Sequence, residues 1–207
     1  MRDKNNKKII KRHSFKHLDW VCKSIFLNFK IYNDFTIVDS KLFFDKTEFL
    51  KKGDLLLNGY KLNTLKFKII YIFKNKKNQV KKINPNNDFL VIKVPSDCFK
   101  LIVKSSVKLN PKKNSSLEGF YESNNMFCTQ CEPEGFRKIT WFTDRPDNLS
   151  LFKVRIEAKS SFKNLLSNGN LIRIGNSKKN NRRYVIWNDP FPKPSYLFAL
   201  VVGNLEV

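Results

Sequence analysis

The most regular signal along the chain is a two-residue alternation of apolar and polar side chains, which places successive residues on opposite faces of a strand. Ile25, Leu27, Phe29 and Ile31 alternate with Phe26, Asn28 and Lys30, and Leu65, Phe67 and Ile69 alternate with Lys66 and Lys68. Phe152, Val154 and Ile156 alternate with Lys153, Arg155 and Glu157, the cleanest amphipathic strand of the sequence. Shorter β-rich runs lie at 35–38, 89–94, 99–103, 184–187 and 196–202. Turn chemistry separates them at Asn58-Gly59, Asn84-Pro85, Asp144-Arg145-Pro146 and Ser167-Asn168-Gly169. No long stretch repeats apolar residues at helical spacing behind a capping residue. The pattern predicts an all-β chain, an antiparallel sandwich or saddle of sheets.

Two segments depart from the alternation. Residues 110–135 are polar and rich in Asn and Ser, and they predict a long loop, a feature that is uncommon in a compact domain and tends to be functional. Asp189-Pro190-Phe191-Pro192-Lys193-Pro194 must run extended, because each proline fixes φ and lacks an amide hydrogen. It leads into an apolar run, 196–202, that reads as a buried strand.

Charge changes the picture. The 207 residues hold 40 Lys and Arg against 18 Asp and Glu, a formal charge of +22. Such a balance invites a nucleic-acid partner. The Lys-rich runs 4–11, 74–87 and 176–181 nevertheless fall between apolar segments and travel with Asn, Ile and Phe, a set that AT-rich codons enrich together. No zinc-ligand pair, aromatic sheet motif or glycine clamp accompanies them, so the charge reads as compositional drift and nucleic acid is not the expected partner. With 41% hydrophobic residues the chain can bury a core. No apolar run approaches the roughly 20 residues of a membrane span, and the N-terminal residues carry no secretory signal, so the chain is expected in the cytoplasm, away from membranes.

Candidate chemistry is sparse. Cys128-Thr129-Gln130-Cys131 has a metal-like or redox-like spacing, but no second pair exists, and His13 and His17 lie more than about 100 residues upstream. Free thiols and ordinary surface histidines are the simpler reading. No Gly-rich phosphate loop follows a strand. The polar segment does gather Glu118, Glu122, Glu132 and Glu134 around Gln130, an unexpected concentration of carboxylates in so basic a chain. Either they are solvated loop acids or they form a site for a cationic group such as an amine.

Longer blocks carry a resemblance. Leu117-Glu118-Gly119-Phe120-Tyr121 is followed by Phe127-Cys128-Thr129-Gln130-Cys131-Glu132-Pro133-Glu134-Gly135-Phe136-Arg137. Asp144-Arg145-Pro146-Asp147, Leu165-Leu166-Ser167-Asn168-Gly169-Asn170 and Trp187-Asn188-Asp189-Pro190-Phe191-Pro192-Lys193-Pro194 come next. In order and spacing these closely resemble the aminopeptidase N family, the bacterial zinc alanyl aminopeptidases. The resemblance is strong from about residue 116 onward and traceable earlier at Leu55-Leu56-Leu57-Asn58-Gly59.

The resemblance implies a saddle-like, antiparallel β-sandwich N-terminal domain over 19–207, behind a basic, poorly ordered extension at 1–18, with a long functional loop at about 107–136. It implies that Gln130 and Glu132 reach into a neighbouring active site and hold the free α-ammonium group of a peptide. It also implies zinc in full-length members. The family's H-E-x-x-H zinc helix, its G-x-M-E-N strand and its catalytic tyrosine motif are missing from this sequence; Met126 is not followed by Glu-Asn, and neither histidine fits the pattern. The expectation is therefore an N-terminal domain of a zinc aminopeptidase, from a truncated or split gene, that holds no metal and has no catalytic residues of its own. Its partners would be a peptide N-terminus and a missing or separately encoded catalytic domain. A retained peptide- or protein-binding module is the alternative, and a basic nucleic-acid-binding protein a more remote one.

Overall fold

Alternation becomes sheet wherever one side of a strand can be buried. In the computed structural model, which describes residues 12–48, 53–177 and 181–206, fourteen strands follow one another: β1 (Trp20–Ile31), β2 (Thr36–Lys46), β3 (Leu55–Asn58), β4 (Asn63–Ile72), β5 (Gln79–Lys82), β6 (Phe89–Ile92), β7 (Lys100–Leu109), β8 (Gly119–Ser123), β9 (Met126–Gln130), β10 (Ser150–Lys159), β11 (Asn164–Ser167), β12 (Asn170–Asn176), β13 (Arg182–Lys193) and β14 (Leu200–Gly203). Helical structure among the described residues is limited to four 3-10 turns. The all-β expectation holds. Of the expected N-terminal extension, residues 1–11 lie outside the described residues, as does part of the Lys-rich run at 176–181.

Eight strands form one sheet in the order β12-β13-β10-β1-β2-β7-β4-β5, with smaller sheets β11-β14-β9-β8 and β3-β6. The large sheet turns Ile25, Leu27, Phe29, Val38, Leu42, Phe44, Val103 and Ile156 inward, all fully or almost fully buried. The smaller sheets cover that face. Phe29 of β1 packs against Phe120 of β8 at 5.5 Å between ring centroids, and Phe136 sits edge-on to Phe152 of β10 at 5.9 Å. One polar knot lies in this core, where Ser40, Ser105 and Thr140 share hydroxyl hydrogen bonds of 2.7 to 3.2 Å. Each hydroxyl is satisfied, which offsets the cost of burying it.

Three features differ from the sequence reading. The expected loop at 107–136 contains the β8–β9 hairpin, closed by Asn124 and Asn125, both at positive φ (50° and 61°). Two left-handed residues in succession are what a two-residue hairpin turn requires, and asparagine tolerates them. Cys128 consequently lies in a strand. Second, β1 pairs parallel to β10, from Ser24 with Leu151 to Lys30 with Glu157, within a sheet otherwise antiparallel. Third, the run 196–202 is not one strand: a 3-10 turn, Ser195–Leu197, precedes β14. The proline segment before it is extended as expected, completing β13.

Candidate functional site

The acidic segment leaves β9 at Gln130 and turns at once. The Gly135 amide donates to the Cys131 carbonyl at 3.0 Å, Glu134 sits at φ 74°, and Gly135 starts the 3-10 turn Phe136–Lys138. Packing at the turn leaves no room for a side chain at Gly135, since a Cβ there would lie 2.4 Å from the Gln130 carbonyl oxygen and 2.8 Å from the Cys131 Cα. Cys131, Gly135 and Phe136 are buried anchors, whereas Gln130, Glu132, Pro133 and Glu134 are exposed. The two sequence-predicted site residues are thus both exposed and two positions apart, Gln130 at the end of β9 and Glu132 in the turn that follows.

A buried carboxylate fixes that turn. Asp144 is 6% exposed and accepts from the Arg137 amide at 3.2 Å, the Arg137 Nε at 3.0 Å and the Ser195 Oγ at 2.5 Å. Arg137 Nη2 also donates to the Asp144 carbonyl at 2.9 Å. Its Nη1 reaches Glu134 at 3.0 Å. One guanidinium therefore bridges the core to the acidic turn. Sequence reading did not single out this clamp, although Arg137 and Asp144 lie in the motif blocks; Ser195, 51 residues beyond Asp144, joins it only through the fold.

Of the four acids, Glu118 is paired with Lys138 and Glu134 with Arg137. Glu122 has one carboxylate oxygen buried without a hydrogen bond. Glu132 has no ion-pair partner among the described residues. It borders an open groove of about 740 Å³ whose walls include Glu134, Arg137, Asp144, Ser195 and Tyr196; Gln130 stands beside the groove without lining it. The arrangement offers an uncompensated carboxylate, with an amide close by, to a cation approaching from outside.

The cysteines make a poor metal or redox site. All four are free. Burial, helped by the charge of Asp144, pushes the Cys131 thiol far above its usual range, and burial raises Cys22 to about 12. Cys98 and Cys128 are also raised by burial. Thiols held protonated are weak ligands and nucleophiles. His13 and His17 are exposed, His17 edge-on to Phe15 at 5.0 Å. Among the described residues no group of three or more His, Cys, Asp or Glu is placed to hold a metal ion, and no helix is long and apolar enough to cross a membrane.

Known proteins resemble this chain in sequence and in fold. The family profile "Peptidase M1 N-terminal domain" matches residues 27–197. Aminopeptidase N of Caulobacter vibrioides is 52% identical over 118 residues, covering 57% of this chain and 13% of the relative. Aminopeptidase N of Escherichia coli is 52% identical over 101 residues, 48% of this chain and 12% of the relative. The chain thus spans a small fraction of the length of these curated relatives. Among solved structures, an aminopeptidase A of Legionella pneumophila in complex with aspartic acid superposes with a TM-score of 0.78 at 28% identity, over 94% of this chain and 22% of that one. An M1 zinc metallopeptidase of Deinococcus radiodurans shares the fold, with a TM-score of 0.66 at 15% identity, over 89% of this chain and 42% of that one.

Proposed function

The chain belongs to the family of Peptidase M1 N-terminal domains, and we propose that Gln130 and Glu132 are its share of an aminopeptidase pocket, a grip for the free α-ammonium group of a peptide. The observation that carries this reading is Glu132, exposed on a clamped turn and unpaired among the described residues of a chain with charge +22. A carboxylate accepting from an ammonium makes a charge-assisted hydrogen bond, stronger than a neutral one. The Gln130 amide oxygen would accept a second N–H. An internal peptide bond offers no ammonium, so such a grip admits chain ends alone and makes the reaction an exopeptidase one.

The family's peptide hydrolysis relies on zinc, which supplies an activated water when bound. The residues of this chain do not fit that ion: no three-ligand cluster exists among those described, and the buried thiols are held protonated. No hydrolytic step is routed through them. The reading is that turnover needs a metal-bearing segment other than these 207 residues, and that the chain by itself binds amines without cleaving peptides. Four free thiols suit work in a reducing compartment such as the cytoplasm.

Side-chain NMR on the full chain tests the grip. Titration with L-alanine amide is expected to perturb Glu132 and Gln130, titration with the N-acetylated amide to leave them unmoved, and Glu132→Gln to abolish the response. An equal response to both compounds, or none at Glu132 at saturating amine, would overturn the reading. Turnover of an alanyl anilide in the presence of zinc, abolished by a chelator, would overturn the inactivity of the chain.

A further inference from the structure

The large sheet has a second face, turned away from the core, and its cross-strand register assembles something that no single strand shows. Lys153 of β10 pairs with Phe26 of β1, Phe26 with Lys41 of β2, Lys41 with Lys104 of β7, Lys104 with Lys68 of β4, and Lys68 with Lys82 of β5. Residues in register share a face, so five lysines and one phenylalanine form a single row across six strands. At about 4.8 Å per strand the row is about 24 Å long. None of the five lysines has an acidic partner among the described residues. Like charges directly opposite one another destabilise a sheet, so the row carries an electrostatic cost that a ligand would relieve.

The neighbouring rows define what ligand fits. On one side lie Phe43, Ile102, Ile70 and Val80, in register with each other and apolar. On the other lie Arg155, Asn28, Asp39, Ser106 and Lys66; Asp39 is paired to Lys30 at 2.8 Å and Arg155 to Glu157 at 2.7 Å, so Lys66 alone there lacks an acidic partner among the described residues. Uncompensated positive charge is therefore concentrated along one row, with Lys66 added on one side and an apolar strip on the other. A shallow groove of about 660 Å³ follows it, bordered by Phe26, Lys41, Lys66, Lys68, Lys82 and Lys104. A lipid surface presents charge in two dimensions. A single-stranded nucleic acid instead presents a line of phosphates with flat apolar bases to one side.

We propose that this outer face binds single-stranded nucleic acid without sequence preference, with phosphates along the lysine row and bases over Phe26 and the apolar strip. Stacking on an aromatic ring beside a line of cations is how such strands are held in general. This site lies on the face opposite the core and owes nothing to the amine grip at Glu132.

Fluorescence anisotropy with the full chain and an oligo-thymidylate of about 12 nucleotides tests the proposal. Five phosphate contacts give a slope of log K against log salt of about −3.5, an affinity loss of about 100-fold between 50 and 200 mM salt. Lys41→Gln, Lys68→Gln and Lys104→Gln combined should flatten the slope to about −1.4, with a far-UV spectrum unchanged. A matched triple off the row, Lys112→Gln, Lys113→Gln and Lys163→Gln, should leave the slope within about 0.7 of the parent. Equal loss in both triples would reduce the binding to net charge and overturn the proposal. So would a parent slope shallower than about −1.5, or tighter binding to anionic phospholipid vesicles or polyglutamate than to the oligonucleotide.

Discussion

Replacing Asp144 by alanine should be among the most damaging single changes outside the apolar core, and the structure sets the size of the effect. The Asp144 side chain is 3% exposed and its Arg137 partner 19%. Truncation strands three donors at once: the Arg137 amide, the Arg137 Nε and the Ser195 hydroxyl. Removing one member of a buried pair costs about 3–5 kcal/mol, because the remaining charge is left without its partner. Arg137 keeps Glu134 and some contact with solvent, which places the expected loss near the low end, about 3 kcal/mol. For a chain of this length that corresponds to a Tm lower by roughly 6–12 °C. Urea unfolding followed by fluorescence of Trp20, Trp141 and Trp187 measures it. Asp147→Ala is the internal reference: that carboxylate pairs with Arg145 at 2.7 Å near the surface, and its loss should cost about 1 kcal/mol or less. If the two variants prove equally stable, Asp144 is not the hub of the clamp and the account of how the acidic turn is held fails.

Two further outcomes follow from specific contacts. Gly135→Ala should destabilise the chain by about 2 kcal/mol through overpacking, because its Cβ would fall 2.4 Å from a backbone carbonyl oxygen; thermal melts check this, and a neutral variant would mean that the turn has room. Burial opposes ionisation of Glu157, but Arg155 and Arg182 outweigh it and hold the carboxyl below its ordinary value of 4.5. A depressed carboxyl stabilises the fold above its unfolded pKa and loses that contribution as pH falls below about 4.5. Glu157→Gln should therefore flatten the acid side of the stability–pH curve measured by urea unfolding, and an unchanged curve would discount the pairing.

How much of this was legible in sequence depended on distance along the chain. β1, β4 and β10 could be read directly, because period two with one buried face is a local property. The β8–β9 hairpin was hidden: its strands are only five residues each within an Asn- and Ser-rich stretch, and the turn signal is an Asn124-Asn125 pair rather than the more familiar Asn-Gly. Gln130 and Glu132 were visible through their motif, yet the clamp that positions them was not, since it joins residues 137, 144 and 195. The lysine row is the extreme case. Lys41, Lys68, Lys82, Lys104 and Lys153 look like ordinary solvated positions one strand at a time, and only register, which is set by tertiary pairing, brings them into line.

The parallel seam between β1 and β10 also orders events during synthesis. β1 leaves the ribosome well before β10, so its second edge stays open until residues 150–159 have been made. At about 5–20 residues per second that wait lasts roughly 6 to 26 seconds, during which the β1–β2 hairpin lacks β10 along its open edge. A chaperone that shields 20–46 during that interval would cover an edge that the finished sheet closes with β10.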